Sequence, residues 1–209
     1  MGLSSCKKIF IIPTTQQDYK TTHPKTRSQW RKWLEKNHSA SPGVWLIYYK
    51  KESGKRKFDY ADAVEEALCF GWIDSTSRSM DDDRYMQRFT PRKAKSGWSG
   101  LNKKRIEKMI AEGLMTKAGL EKIEAAKKDG SWKSLDHIDA IEPPEDFEKA
   151  LSKNKRAKIN FQNFPPFTKK QFLYRINSAK TEATRKERII LCVKMAAANK
   201  KPSVEGFKL

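Results

Sequence analysis

Cysteine and histidine are scarce in this chain of 209 residues, and their spacing argues against several kinds of site. The three cysteines, Cys6, Cys69 and Cys192, are an odd number, lie far apart and include no CxxC pair. The three histidines have no HxxxH or other ligand spacing. The sequence therefore predicts no disulfide framework, no metal and no cofactor, and it is typical of a reduced, cytoplasmic protein.

Long hydrophobic runs are also missing. The apolar run at residues 8–13, KIFIIP, is too short for the core of a signal peptide or for a membrane span. The hydrophobic fraction is only 37%, although six Trp and ten Phe make a sizeable core feasible. The sequence predicts no membrane span, and its length suits one domain or a larger domain with a small appendage.

Acidic residues are few relative to basic ones. Asp and Glu number 25 against 44 Lys and Arg, which gives a formal net charge of +19. Residues 151–209 hold 15 of the basic and 3 of the acidic residues, so that +12 of this charge lies in the last part of the chain. Such asymmetry indicates a polyanionic partner: nucleic acid, an anionic membrane face or an acidic protein. A solvated basic surface is an equally weighted interpretation.

The apolar patterns predict an α+β fold: a small, mainly antiparallel sheet flanked by helices and followed by a helical C-terminal unit. Val44–Tyr49 is apolar at nearly every position, as in a central strand covered on both faces. The predicted strands are 8–13, 43–50, 71–79 and 84–90. The predicted helices start at Thr22 or the His23–Pro24 step, then cover 59–70, 99–112, the segment between Thr116 and Asp129, 146–154, 168–179 and 184–198.

The Pro143–Pro144 pair is the best candidate for a domain boundary. It separates a predicted α+β domain, residues 1–142, from a predicted basic helical unit, residues 145–209. Within that unit, the apolar stripes of the last two helices predict an αα-hairpin.

The loop TPRKAKSGWS, residues 90–99, concentrates cations, hydroxyls and a tryptophan just before a helix. Helix N-termini bind anions because their first N–H groups are unpaired and lie at the positive end of the helix dipole. The sequence therefore predicts an anion site, although GxxxxGK[ST] is missing and the loop is no P-loop. The predicted binding residues are Arg92, Lys93, Lys95, Ser96, Trp98, Ser99 and Lys103, supported by Asp74, Arg88 and Asn102. In the alternative interpretation the loop is scaffold, Ser99 merely caps the helix and Trp98 is core.

Three single residues have two interpretations each. Cys69 could be a nucleophile, but its place at a helix C-terminus disfavours a thiolate and favours a buried structural cysteine. Asp74 could be a general base, but a structural ion pair with Arg78, Arg88 or Arg92 is favoured. For His38 we expect a capping or surface position.

Three runs in the centre of the chain are the most distinctive part of the sequence. They are EEALCFGWIDS (Glu65–Ser75), RFTPRKAKSGWSGLN (Arg88–Asn102) and GLMTKAGL (Gly113–Leu120). Together they resemble the signature of the YdeI/OmpD-associated family, the bacteriocin-protection proteins, and the likeness extends over nearly the whole chain. This resemblance implies a role in bacterial stress or bacteriocin resistance and supplies no catalytic mechanism.

Two hypotheses for function follow. The first is a non-enzymatic stress-resistance protein that binds nucleic acid, another polyanion or a small anionic ligand through its basic loop and basic helical end. The second is an enzyme acting on a small phosphorylated or carboxylated ligand in a pocket around Asp74 and Arg92. The first is preferred because the sequence contains no recognisable nucleophile–base pair or metal set.

Overall fold

The chain divides into two compact units, Met1–Arg92 and Lys93–Leu209. The computed structural model describes residues 19–202, so the predicted strand at 8–13 lies outside the described residues. The described part of the first unit combines helices with a sheet, whereas residues 93–202 form helices and no strand. The predicted α+β fold with a helical C-terminal part is confirmed.

The sheet of the first unit has four strands in the described part of the chain, in the order β1-β2-β4-β3. They are β1 (Thr21–Thr22), β2 (Val44–Tyr49), β3 (Trp72–Ser79) and β4 (Arg84–Pro91). Both β2 and β3 run antiparallel to β4, while β1 runs parallel to β2. The mainly antiparallel prediction is therefore correct. A shift of register between Asp74 and Ser77 marks a β-bulge in β3.

The start of the first helix was predicted wrongly. Thr21 and Thr22 pair with β2, and helix α1 (Arg27–Asn37) begins only after Thr26. The Thr26 hydroxyl accepts a hydrogen bond from the Gln29 amide at 3.3 Å. Because this cap satisfies one of the unpaired N–H groups of the first turn, the helix starts there and leaves Thr22 to the sheet.

Helix α2 (Tyr60–Cys69) begins at Asp59, which forms a capping box with Asp62. It ends before Gly71, whose φ of +73° lies in the left-handed region that favours glycine. Both α1 and α2 contribute to the core of the first unit. The Trp30 indole N–H donates to the Ala63 carbonyl of α2 at 3.1 Å, and the Trp30 ring lies 5.4 Å from that of Phe89 in β4.

The second unit contains the remaining helices. These are α3 (Gly100–Ala111), α4 (Lys117–Lys128), α5 (Asp136–Asp139), α6 (Glu145–Ser152), α7 (Lys155–Asn163), α8 (Pro166–Asn177) and α9 (Glu182–Ala197). As predicted, Ser99 and Thr116 cap α3 and α4. The sequence reading missed α7, because Ala157 and Phe161 are its only buried residues and give too sparse an apolar pattern.

The core of this unit is built around the phenylalanines of α6, α7 and α8. Phe161 packs edge-on against Phe147 at 5.3 Å, and its ring centre lies 5.9 Å from that of Phe172. Four large apolar residues of α3, α4 and α9 are exposed, with 42–68% of their surface accessible: Leu101, Ile110, Leu120 and Ile190. Each lies beside a residue or stripe that is buried, so only part of the apolar surface of these helices faces the core.

Candidate functional site

A groove of about 490 Å³ lies in the second unit beside the start of α3, and α5 and α8 form much of its wall. The α8 side presents Phe167, Lys170, Gln171 and Tyr174, whose spacing of three, one and three residues places them on one helical face. Leu135 and Ile138 contribute apolar surface from the region of α5. The groove is within the size range of small-ligand sites.

Two aromatic side chains of α8 stand out by their exposure. Phe167 is 72% accessible and Tyr174 is 59% accessible, although both line the groove. The opposite stripe of α8, with Phe172 and Ile176, is fully buried in the core. Because the core does not use the first stripe, this aromatic surface is available to a ligand or partner.

Asp139 holds the start of α3 against the groove. Its carboxylate accepts a hydrogen bond from the Gly100 amide at 2.6 Å and pairs with Lys170 Nζ at 2.9 Å. Partial burial opposes ionisation, but these hydrogen bonds and the charges of Lys170 and Lys103 outweigh it and lower the pKa of Asp139. The helix N-terminus therefore already binds an anion, and that anion is a carboxylate of the protein itself.

Cations concentrate at the other end of the groove. Arg175 lines it, and the Arg188 guanidinium donates to the Arg175 carbonyl at 2.8 Å and to Ser178 Oγ at 2.9 Å. With Lys170, three basic residues thus lie in or next to the groove, while Asp139 is the only acidic lining residue among residues 19–202. The groove combines an aromatic wall with a surplus of positive charge.

Of the loop residues predicted to bind an anion, Ser99 lines this groove. Its hydroxyl accepts from the Asn102 amide at 3.3 Å, as a helix cap. The Ser96 hydroxyl donates to the Lys93 carbonyl at 2.7 Å and so closes the loop on itself. The side chains of Lys93 and Lys95 are exposed.

Trp98 and Lys103 have structural partners in the second unit. Trp98 is only 2% accessible and packs on Trp132 at 5.2 Å, so it is a core residue and not a stacking platform. The Lys103 ammonium lies 5.2 Å from the centre of the Trp132 ring and pairs with Asp136. Both therefore stabilise the start of α3.

Asp74, Arg88 and Arg92 belong to the first unit. Asp74 accepts hydrogen bonds from the Tyr60 hydroxyl at 2.7 Å and from Gln87 Nε2 at 3.3 Å. Arg92 is 4% accessible; burial lowers its pKa to about 10, partly offset by the charge of Asp74. Arg88 Nε donates to Ser75 Oγ at 2.9 Å.

The cysteine and histidine interpretations can be checked directly. Burial, with a smaller contribution from Glu66, raises the pKa of the Cys69 thiol to about 11, as expected of a structural cysteine and not of a nucleophile. His38 is the C-cap residue of α1, and its Nδ1 lies 2.9 Å from the Leu34 carbonyl oxygen. Both preferred interpretations are confirmed.

Residues 19–202 contain neither a metal-binding cluster nor a membrane-spanning helix. No group of three or more His, Cys, Asp or Glu side chains in this range is placed to hold a metal ion. Nor does this range include a helix with the length and apolar character needed to cross a membrane.

Sequence reasoning missed the main groove residues, Phe167, Lys170, Tyr174 and Arg175. A usable signal was present, because Phe167 and Tyr174 lie seven residues apart and outside the apolar stripe of Phe172 and Ile176. A second aromatic stripe on a helix that already has one buried stripe indicates a contact surface.

The structure defines a protein of an α+β unit and a helical unit with an aromatic, cationic groove. Residues 140–199, which include α6 to α9, match the family described as "Bacteriocin-protection, YdeI or OmpD-Associated". Residues 22–122 match a "Domain of unknown function (DUF8412)". No curated protein and no solved structure gave a significant match.

The family resemblance is thus confirmed, but for a different stretch from the one that suggested it. The three distinctive runs between Glu65 and Leu120 lie inside the match to the domain of unknown function. The groove residues of α8 lie inside the match to the bacteriocin-protection family.

Proposed function

We propose that this is a bacterial bacteriocin-protection or stress protein that acts by binding and not by catalysis. Its ligand is an anionic molecule with an aromatic or apolar part, and the groove along α8 receives it. The observation that carries the proposal is the exposed pair Phe167 and Tyr174 next to Lys170 and Arg175. The family match to residues 140–199 supports the biological role. A cytoplasmic location is part of the proposal and rests on the cysteine content alone.

The aromatic side chains of the groove would bind the apolar part of the ligand. An exposed Phe or Tyr that becomes covered removes apolar surface from water, at roughly 25 cal/mol per Å². Phe167 and Tyr174 are two turns apart on α8, so that one flat group can contact both rings or lie between them. Aromatic side chains also give this contact at a low cost in side-chain entropy.

The cations account for the anionic half. Asp139 occupies the N-terminus of α3 and fixes Lys170 by their 2.9 Å contact. A second anion is therefore repelled from the helix terminus itself and is best placed toward Arg175 and Arg188. This arrangement predicts recognition by guanidinium groups, which bind carboxylate and phosphate in a forked geometry.

The proposal also includes a polyanion as a second kind of ligand. The loop cations Lys93 and Lys95 are exposed, and so are Lys155, Arg156 and Lys158 of α7. Such lysine-rich surface binds nucleic acid through phosphates and with little sequence preference. We retain the basic loop in the proposal on this ground, with Lys93 and Lys95 as its contact residues.

The test uses 8-anilinonaphthalene-1-sulfonate, a fluorescent aromatic anion, as the probe of the groove. We expect Phe167→Ala/Tyr174→Ala to weaken its binding at least tenfold, and Lys170→Gln/Arg175→Gln to weaken it similarly. The uncharged analogue N-phenyl-1-naphthylamine should bind the second variant as it binds the wild type. Ile190→Ala/Lys186→Gln on α9 is the matched control, since Ile190 is 68% accessible and lies outside the groove. Unchanged dye binding by both groove variants would refute the groove as the site.

The enzyme hypothesis around Asp74 and Arg92 has one observation in its favour. Arg92 is a buried cation close enough to Asp74 for that carboxylate to affect its pKa. A thermal-shift screen of small phosphorylated and carboxylated metabolites is the test. A ligand that stabilises the wild type but neither Asp74→Asn nor Arg92→Gln would favour this hypothesis over pure binding in the groove.

A further inference from the structure

A second cavity, in the first unit, carries features of a binding site that the family match and the groove do not address. We propose that it binds a phosphate monoester attached to an aromatic group. The cavity has a volume of about 450 Å³ and lies between the residues around β1, the end of β2 and the segment before α2. Its cationic lining residues are Lys25, Lys55, Arg56 and Lys57.

The charge balance of the cavity suits a phosphate monoester. Lys55 is paired with Asp83 at 2.5 Å and Arg56 with Asp59 at 3.5 Å. Lys25 and Lys57 take part in no ion pair with another residue of the described chain. The lining thus has two positive charges that no carboxylate of the described residues neutralises. A phosphate monoester carries about −1.5 to −2 charges at neutral pH, which matches this surplus.

The apolar lining suits an attached aromatic group. Phe58 is 8% accessible and its ring centre lies 5.6 Å from that of Tyr48. Tyr49 is half-buried and lies 5.1 Å from the His23 ring, and Lys25 Nζ is 5.7 Å from the centre of the Tyr49 ring. Cation and aromatic face are therefore adjacent, so that one ligand can engage both.

Tyr48 also lines this cavity. It is 2% accessible, and its hydroxyl has no hydrogen-bond partner among the described residues. A buried hydroxyl without a partner is costly, and sites of this kind call for a physical explanation. A bound ligand that offers an oxygen to Tyr48 would supply that missing partner.

The cationic segment is held in place at both ends. A short 3-10 helix, Lys51–Ser53, ends at Gly54, whose φ of +66° favours glycine. After the cations, Asp59 fixes the chain by capping α2. The cavity is therefore lined by side chains on an anchored segment, which lowers the entropy cost of binding.

The experiment is isothermal titration of the full chain with phenyl phosphate and with adenosine monophosphate. Phenol, adenosine and inorganic phosphate are the partial ligands. We expect each ester to bind at least tenfold more tightly than its unphosphorylated counterpart and than inorganic phosphate. Lys25→Gln/Lys57→Gln should weaken the esters at least tenfold. Lys32→Gln/Lys36→Gln on α1, which removes the same charge outside the cavity, should leave them within about twofold.

Several results would overturn the proposal. One is that neither ester binds. Another is that phenol and adenosine, or inorganic phosphate, bind as tightly as the esters. A third is that the two double lysine variants lose the same affinity for the esters. Ester binding in this cavity should be independent of the groove, so the Phe167→Ala/Tyr174→Ala variant should bind the esters as the wild type does. Conversely, Lys25→Gln/Lys57→Gln should bind the naphthalene dye normally.

Discussion

At the scale of single residues, the buried polar groups of the first unit differ in their hydrogen bonding. The indole N–H groups of Trp30 and Trp72 donate to the carbonyls of Ala63 and His38 at 3.1 and 3.0 Å. The Tyr48 hydroxyl, in contrast, is buried without a hydrogen-bond partner among residues 19–202. Burial raises the pKa of Tyr48 well above its ordinary value, so this hydroxyl stays neutral. The effect of this unbonded hydroxyl on the free energy of unfolding can be measured.

Tyr48→Phe should therefore leave the stability unchanged or raise it by roughly 1 kcal/mol, because it removes an unsatisfied buried hydroxyl at little change in shape. Tyr60→Phe is the control; it removes the 2.7 Å hydrogen bond to Asp74 and should cost about 1 kcal/mol. Urea denaturation of both variants gives the two values. A clear loss of stability in Tyr48→Phe would mean that the hydroxyl is satisfied in solution.

The thiols of Cys69 and Cys192 are the second case at this scale. Burial raises their pKa values to about 11 and about 12, respectively. A raised pKa stabilises the folded state at pH values below the unfolded value near 9, and this contribution is lost as the pH rises through the folded value.

Native protein carrying Cys6→Ser should accordingly resist iodoacetamide at pH 8, since the thiolate is the reactive form. In 6 M guanidinium the same protein should incorporate two equivalents rapidly. Mass spectrometry counts the labels. Rapid labelling of either cysteine in the native protein would show that its thiol is accessible and that the structural interpretation fails for it.

At the scale of elements, a charged cluster joins α1 to α2. Arg27 contacts Asp62 at 3.0 Å, Glu65 at 2.9 Å and Glu66 at 2.6 Å, and Glu66 is only 2% accessible. Burial disfavours the charged form of Arg27, but the hydrogen bonds and charges of Glu66 and Glu65 outweigh it and raise its pKa. The cluster therefore places one guanidinium against three carboxylates of α2.

Arg27→Ala should destabilise the protein by roughly 3 kcal/mol, because it leaves a buried carboxylate with fewer partners. In Arg27→Ala/Glu66→Gln the loss should be smaller than the sum of the single losses, since the second change removes the unpaired charge. A double-mutant cycle by denaturant unfolding measures this coupling. Additive losses would show that the two side chains do not act on each other.

At the scale of the whole molecule, the uneven charge is the feature with the widest consequence. The net charge of the full chain is +19, and +12 of it belongs to residues 151–209. Independently, the two family matches leave residues 123–139 between them, just before the predicted boundary at Pro143–Pro144. We therefore keep units 1–142 and 145–209 as a proposal about domains, although the compact units divide at Arg92.

If a polyanion is a partner, its affinity should depend on the C-terminal cations. Replacing Lys153, Lys155, Arg156 and Lys158 by Gln should flatten the slope of log K against log salt for duplex DNA by up to about 3.6, at about 0.9 per lost phosphate contact. The control replaces Lys20, Lys32, Lys36 and Lys51, which are also exposed. Fluorescence anisotropy at several salt concentrations is the measurement. Equal slopes for the two variants would contradict a C-terminal binding surface.

The sequence by itself determined the features that depend on neighbouring residues. The predicted helix at 59–70 and the predicted helix starts at Ser99 and Thr116 agree with the structure. The reason is that the caps at Asp59, Ser99 and Thr116 and the φ of Gly71 are each set by residues within a few positions. Strand β2 was predicted because its apolar run is independent of its partners. Much of the fold could be predicted from the sequence because these features are local.

Tertiary structure alone decided which surfaces are used. Nothing in the chain near Gly100 indicates that the carboxylate of Asp139, 39 residues later, binds the N-terminus of α3. Because this carboxylate occupies the predicted anion position, the candidate site is the groove along α8. Likewise, Leu101 and Ile110 are as apolar as Ile106 and Met109, and only the packing of other helices buries the second pair. Caps and turns are short-range and local, whereas burial and charge pairing depend on contacts between residues far apart in the chain.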